Sequence, residues 1–379
     1  MSHAPTAALN HRHRIVREAL TAAGVDALVV TALPNVLYLT NFTGSSGIAI
    51  LDADRIRFLT DFRYLTAIAA MRGTPHECPG LEPVVVEGSY DVTLAAEIEA
   101  LAPRRVGFEA AHLTVARCNW LEATLRSRSA DVRLVPTEHL VERARVRKDD
   151  YEIATVREAA RRLSAIAREV ASEVRRGRTE RAVAAAIDWR IREAGFERSA
   201  FDTIVASGPH AALPHARPSE RTITEGDLVV LDFGGVYDSY CVDLTRTVVV
   251  GKADARVHEV YDAVREARNR AIEAVAPGRS RFDIDAAARD LLASRGLGEA
   301  FGHGTGHGLG IEVHEDPRIT RRRRDIDADD EAVAPGMIFT IEPGAYLPGW
   351  GGVRIEDDVL VTDSGVEVLT DATTDLTEV

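Results

Sequence analysis

GDLVVLDFGGVYDSYCVDLTRTVVV (226–250) decides the reading of this chain. Two apolar runs, each with an acidic residue set into it, flank a turn-forming centre. In the first run, strand alternation puts Asp232 on the same face as Leu228 and Val230. A carboxylate at the end of an apolar strand is costly to bury unless a cation compensates it. A single such residue is ordinarily a strand-end turn former.

The pattern recurs. Gly336-Met-Ile-Phe-Thr-Ile-Glu342 repeats Gly226-Asp-Leu-Val-Val-Leu-Asp232 in its glycine, its apolar strand and its terminal carboxylate. Gly and Tyr follow in both copies, and each copy has a second acidic residue on the next strand-like run, Asp243 in 242–250 and Glu356 in 353–361. Such an echo points to a duplicated unit. Two half-sites facing one another would gather four carboxylates, whose repulsion two divalent ions would neutralise. Four carboxylates with one imidazole suit Mn²⁺, Co²⁺ or Zn²⁺ rather than copper or an iron–sulfur cluster.

The imidazole comes from Gly302-His-Gly-Thr-Gly-His-Gly-Leu-Gly310. So many glycines exclude a helix and hence the helical zinc motif HExxH. A phosphate loop is the rival for any Gly-rich run, but neither GxxxxGK[ST] nor GxGxxG after a strand is present. The glycines are expected to let backbone pack closely while His303 and His307 point into a cavity. Alternation in Ile311-Glu-Val-His314 turns His314 toward the same cavity. His215, in Ala211-Ala-Leu-Pro-His215, is a further candidate, although a lone loop histidine is ordinarily a surface residue.

Outward from these motifs, the first half reads as alternating α/β. Helical periodicity in His13–Ala23 leads into strand Ala27–Val30, and Gly47–Leu51, Ile56–Thr60, Pro83–Val86, Val106–Glu109 and Val132–Val135 are further strands. A helix is expected between Leu94 and Leu101. This half carries no ligand-like cluster of His, Asp and Glu and reads as a scaffold or subunit-contact domain. The charged stretch VERARVRKDDY (141–151) is the expected joint, followed by a long helix over Glu152–Arg175 that ends at Gly177. Helices Glu180–Ala194, Arg256–Ala276 and Asp283–Arg295 then alternate with strand pairs. The expected domains are residues 1–145 and 146–379, in line with a length of 379 residues.

A net charge of −13 argues against general affinity for nucleic acid or anionic membrane. The N-terminus lacks a signal-peptide core and no stretch approaches a membrane span. Cys78, Cys118 and Cys241 form no CxxC pair, so a reducing cytoplasm is the expected location.

Together these segments resemble the creatinase/aminopeptidase P/prolidase family of metallopeptidases with the pita-bread fold. The motifs are LPHARPS (213–219), LDFGG (231–235), DLTRT (243–247), HGTGHGLGIEVHE (303–315), TIEPGAY (340–346) and GGVRIEDD (351–358). NVLYLTNFTGSSG (35–47) and TDFRY (60–64) look like the family's N-terminal domain. The resemblance implies an α/β (α+β) chain with a creatinase-like N-terminal domain and a pita-bread catalytic domain, and it implies a homodimer. It puts the metal ligands on Asp232, Asp243, His307, Glu342 and Glu356, with Asp243 and Glu356 expected to bridge or chelate. Two divalent ions are implied, with Mn²⁺ foremost and Co²⁺ or Zn²⁺ as alternatives. His215, His303 and His314 take substrate and proton-handling roles, His314 polarising the carbonyl. Glu342 doubles as general base, and Arg354 orients the acidic cluster. Creatinase shares the fold without metal, but every ligand position here is acidic or His.

The implied activity is exopeptidase hydrolysis of the bond before proline, in di- or oligopeptides. Methionine aminopeptidase uses a similar ligand set, but the N-terminal domain and Arg354-Ile-Glu356 favour the proline-specific branch. A non-catalytic peptide binder would be marked by a lost ligand, and none is lost. A dipeptidase must recognise the carboxylate that follows proline, which favours a guanidinium. In prolidases such an arginine lies between the metal histidine and the TIEPG-type strand. That loop here holds Arg318 and Arg321, both carried as substrate-binding candidates, with Arg322, Arg323 and Arg324 beside them. For most of them a solvated charge run paired with Asp325–Glu331 is the plainer reading. Xaa-Pro dipeptides are the expected substrates, and Xaa-Pro aminopeptidase action on longer peptides is the alternative.

Overall fold

Residues 3–322 and 332–379 are described by a computed structural model, and the chain divides into two units, Met1–Arg145 and Val146–Val379. The first unit opens with α1 (Thr6–Ala23), which ends where Gly24 adopts φ 64° and caps the carbonyls of Leu20 and Thr21. Next come β1 (Ala27–Val30), α2 (Leu33–Thr40), β2 (Ile48–Leu51), β3 (Ile56–Thr60), α3 (Phe62–Met71) and β4 (Leu81–Val85). The unit closes with α4 (Tyr90–Leu101), β5 (Arg105–Glu109), α5 (Val115–Ser127), β6 (Arg133–Thr137) and α6 (Leu140–Val146).

Its strands form one sheet in the order β4-β3-β2-β1-β5-β6. Only β2 runs against its neighbours. Helices α2, α3 and α5 fall where the sequence pattern gave no helix. Of these, α3 is capped by Asp61 and buries none of its residues fully.

The second unit begins at α7 (Asp150–Val170), started by a capping box between Asp149 and Glu152. A single turn of 3₁₀-helix over Ala171–Glu173 replaces the end of the longer helix expected from the sequence. Then follow α8 (Glu180–Glu193), β7 (Arg198–Ser199), β8 (Ile204–Ser207), β9 (Leu228–Tyr237), β10 (Tyr240–Val249), α9 (Ala255–Glu273) and α10 (Arg281–Ser294). The remaining strands are β11 (Gly306–Gly308), β12 (Glu315–Ile319), β13 (Ile338–Ile341), β14 (Gly344–Leu347), β15 (Gly351–Arg354), β16 (Asp357–Thr362), β17 (Gly365–Val368) and β18 (Thr377–Glu378).

The duplication seen in the sequence has a structural counterpart. Gly226 and Gly336 take nearly the same left-handed φ, 84° and 88°, where a Cβ would be strained. Hairpin β9–β10 packs Val229, Leu231, Phe233, Val242 and Leu244 against α7 and α8. In the other half, Phe339, Ile341, Val359 and Val361 pack against α9 and α10. Each half thus buries one sheet face under its own helix pair, and alternation sends the acidic residues to the opposite face.

The two copies differ in one respect. β9 and β10 run unbroken around a tight turn at Asp238 and Ser239, both at positive φ. Their counterparts break: β14 and β15 leave the ladder of β13 and β16 to form a separate two-stranded ribbon. Pro343 follows Glu342 at that break, and a residue without an N–H ends a ladder.

In the Gly-rich loop the glycines admit backbone. A Cβ on Gly306 would lie 1.8 Å from the Thr340 carbonyl oxygen, and one on Gly308 would lie 2.2 Å from that of Asp316. Gly302 has nothing within 4 Å. Gly306→Ala should therefore destabilise the protein by about 3 kcal/mol or more, whereas Gly302→Ala should leave the thermal midpoint nearly unchanged. Equal midpoints for the two variants in a melting experiment would contradict this packing.

Candidate metal centre

Register brings the acidic residues together. In the β9–β10 ladder Asp243 pairs with Gly234 and Thr245 with Asp232, so Asp232 and Asp243 are diagonal neighbours on one face. In the other half Ile341 pairs with Asp357, and Glu342 directly follows β13 while Glu356 directly precedes β16. His307 enters on β11, which pairs with β13. The Glu356 N–H bonds the Thr245 carbonyl at 3.1 Å, tying the halves to each other.

Asp243, His307 and Glu356 each offer a ligand atom within 4.8 Å of the other two, and all three residues are buried. Asp232 is buried as well, and Glu342 is partly buried. His307 Nδ1 lies 3.1 Å from the Gly308 carbonyl, which only accepts, so Nδ1 carries the proton. That leaves a lone pair on Nε2, 3.8 Å from Glu342 Oε1. Two lone-pair donors facing each other call for a cation between them. Asp232 Oδ1 and Asp243 Oδ1 are buried without a hydrogen-bond partner, a costly arrangement unless another ligand completes them.

The electrostatics agree. Burial and the neighbouring carboxylates push Asp243 well above the usual carboxylate range. Burial, Glu342 and Asp232 do the same to Glu356. Burial raises Glu342 to about 7, with Arg354 opposing and Asp232 adding to the rise. Burial takes His307 down to about 3, which keeps it neutral. Neutral imidazole and crowded carboxylates are a ligand set for divalent ions, so the residues present fit the metals that the sequence implies.

Around this cluster runs a chain of hydrogen bonds. Arg354, buried on β15, donates through Nη2 to Asp232 Oδ2, through Nη1 to the Tyr346 hydroxyl at 2.9 Å and through Nε to Thr245 Oγ1 at 3.1 Å. Thr245 Oγ1 in turn donates to Glu356 Oε2 at 2.6 Å. His303 Nδ1 donates to the Gly304 carbonyl at 2.7 Å, so its Nε2 accepts from the Tyr346 hydroxyl at 2.9 Å. Both ring nitrogens of His303 are thus engaged by protein groups, and burial takes its pKa down to about 4. Asp285 and Arg289 on α10 hold its loop. The Asp285 carboxylate accepts from Thr305 N–H and Oγ1, and Arg289 donates to the Phe301 and His303 carbonyls.

The remaining candidates lie at the rim. The His314 ring is 4.3 Å from that of His307, and His314 is exposed. Burial of its ring lowers its pKa, helped by the charges of Arg318 and His215. His215 is exposed on the loop whose Pro214 carbonyl accepts from Arg354 Nη1 at 3.2 Å. Arg318 stands opposite His307 in the β11–β12 ladder, and its charge bears on His307, His314 and Glu342. Arg321 is exposed beyond the end of β12, and the Arg322 guanidinium lies over the Phe282 ring at 4.8 Å. Arg323, Arg324 and Asp325–Glu331 lie outside the described residues.

Sequence reasoning gave no part to Tyr346, Thr245 or Asp358. Asp358 is fully buried and accepts from the Asp243 N–H at 3.0 Å. Tyr346 belongs to the echoed Gly and Tyr after each terminal carboxylate, and that echo is the signal that could have found it. Cys78, Cys118 and Cys241 are free thiols. No helix among the described residues is long and apolar enough to cross a membrane.

Comparison with known proteins places the chain in a family. The model of the creatinase/prolidase N-terminal domain matches residues 12–147, and that of metallopeptidase family M24 matches residues 154–363. An uncharacterized peptidase of Bacillus subtilis, YqhT, is 39% identical over 347 residues, which are 92% of this chain and 94% of that one. The solved Xaa-Pro dipeptidase from Bacillus anthracis superposes with a TM-score of 0.91 at 37% identity, over 98% of this chain and 100% of that one. The X-Pro aminopeptidase from Thermotoga maritima gives 0.84 at 32% identity, over 94% and 98%. With its α/β creatinase-type N-terminal domain and pita-bread C-terminal domain, the chain belongs to metallopeptidase family M24 and is a metal-dependent peptidase.

Proposed function

We propose that this protein is a two-metal exopeptidase that hydrolyses the bond before proline and prefers Xaa-Pro dipeptides. The observation that carries the dipeptide preference is Arg318, set across from the candidate metal histidine His307. A guanidinium there faces the carboxylate that follows proline in a dipeptide and binds both its oxygens. A peptide continuing past proline presents no such carboxylate. The similarity to a solved Xaa-Pro dipeptidase supports the same reading.

In this reading Asp232, Asp243, His307, Glu342 and Glu356 would hold the ions, Mn²⁺ first among the candidates. When bound, divalent ions supply an activated water and a Lewis acid for the scissile carbonyl. Glu342, the cluster carboxylate that is only partly buried, takes a proton and returns it to the proline nitrogen as that becomes the leaving amine. His314 and His215, exposed at the rim, hydrogen-bond the substrate as charge develops on its carbonyl oxygen. His303 acts at one remove, fixing the Tyr346 hydroxyl and through it Arg354, which orients Asp232.

Three outcomes test this. The first follows from linkage. Carboxylates held above their ordinary range stabilise the metal-free fold at low pH and lose that contribution as pH rises through the raised pKa. Metal replaces the departing protons. The gain in thermal midpoint on adding Mn²⁺ should therefore grow between pH 4.5 and about 7, the interval of the Glu342 displacement, and a gain that shrinks over this range would sink the metal assignment. Second, His314→Ala should keep its metal content and lose roughly 10²-fold in kcat; loss of metal instead would make His314 a ligand. Third, the unaltered enzyme should cleave Ala-Pro in preference to Ala-Pro-Ala, and Arg318→Ala should raise KM for the dipeptide alone. Equal or faster cleavage of the tripeptide would make the protein an Xaa-Pro aminopeptidase.

A further inference from the structure

The segment from Ser207, the last residue of β8, to Ser219 bears His215 and leads toward the strand β9 that carries Asp232, and both of its ends converge on one side chain. Glu180, the first residue of α8, is fully buried. Its Oε1 accepts from the Ser207 N–H and hydroxyl, both at 2.8 Å. Its Oε2 accepts from the Ser219 hydroxyl at 2.6 Å and the Ser219 N–H at 3.1 Å. His210 Nδ1, inside the loop, lies 3.1 Å from Oε1. One oxygen is thus given to each end of the segment that holds His215.

An acidic residue in the first turn of a helix ordinarily faces solvent and gains only from the helix dipole. Burying a carboxylate for that alone would be a net cost. Five donors from the 207–219 segment offset the cost, and four of them fix its two ends. The backbone reinforces them: the Arg181 N–H bonds the Ser219 carbonyl, and the Glu180 N–H bonds that of Arg221. From the far side, Gly352 admits the Ala211 carbonyl, which a Cβ would approach to 2.1 Å, and Arg354 holds the Pro214 carbonyl. His215 therefore sits on a span clamped at both ends by Glu180 and in the middle by β15, the strand that carries Arg354.

We propose that Glu180 is a positioning residue of the active site, setting the reach of His215 toward the substrate; this rests on the role given to His215 above. The carboxylate touches neither substrate nor metal ligands. It acts because a rigid span holds the imidazole where a mobile one would scatter it, and small misplacements of a reacting group are expensive.

The test is a double-substitution cycle on the metal-loaded enzyme. Glu180→Gln exchanges an acceptor for a donor that faces serine donors, and it should lower kcat by about 10-fold with KM and metal content nearly unchanged. In a His215→Ala background the same change should cost less than about 2-fold, because the group it positions is gone. Amide hydrogen exchange at Leu213 and Ala216, whose N–H groups bond within the loop, should speed up in Glu180→Gln. Ser219→Ala, which releases one end only, should show the same pattern more weakly and serves if Glu180→Gln does not fold. Equal losses of kcat in both backgrounds, or unchanged exchange at the loop amides, would overturn the proposal. Full activity in His215→Ala would instead remove the role given to His215, and the exchange measurement would still decide whether Glu180 clamps the loop.

Discussion

Negative charges from two halves of one unit are forced onto the same few ångströms, and most of what surrounds them exists to hold that arrangement. Burial and mutual repulsion push Asp243 and Glu356 far above their usual range. A pair of hairpins on a flexible scaffold would splay apart under such a load. Here each half is backed by its own helix pair and apolar layer. The halves are also laced together by the Thr245 carbonyl, by the Thr245 hydroxyl on Glu356 and by Arg354. Arg246 adds a further tie, donating to the Glu356 carbonyl and the Asp357 carboxylate.

Much of this was legible in the sequence because strand alternation is a strict code. The apolar run before Asp232 fixes its face, and the echo at Glu342 fixes a second face that can meet it. The glycines of 302–310 were readable as points of close backbone approach, and Gly306 and Gly308 are such points. The break of the second hairpin was harder to read. Pro343 is visible, but the departure of β14 and β15 depends on what they pack against. Helix α3 is short, and its apolar face is only half-buried.

The site's hydrogen-bond chain was beyond sequence reasoning for a different cause. Tyr346, Arg354 and His303 are linked by side-chain geometry that no spacing rule encodes. A histidine flanked by glycines near a metal ligand suggests proton handling. What spacing does not reveal is that the Gly304 carbonyl and the Tyr346 hydroxyl engage both of its nitrogens. Glu180 shows the same blindness: an acidic residue opening a helix is the most ordinary of sequence features, and only its burial sets it apart.

The direction of that chain has one more consequence. Arg354 has no acceptor and gives hydrogens to Asp232 and to Tyr346. Tyr346 must then turn its single hydrogen the other way, toward His303, and burial pushes its pKa up to about 12, so it keeps that hydrogen. The polarity of the chain reverses at the guanidinium, which stays charged throughout. No proton hopping from His303 toward the carboxylates can pass such a junction. The route behind Asp232 is an insulator rather than a wire, and the side it leaves open is the one where Glu342 and the rim histidines lie.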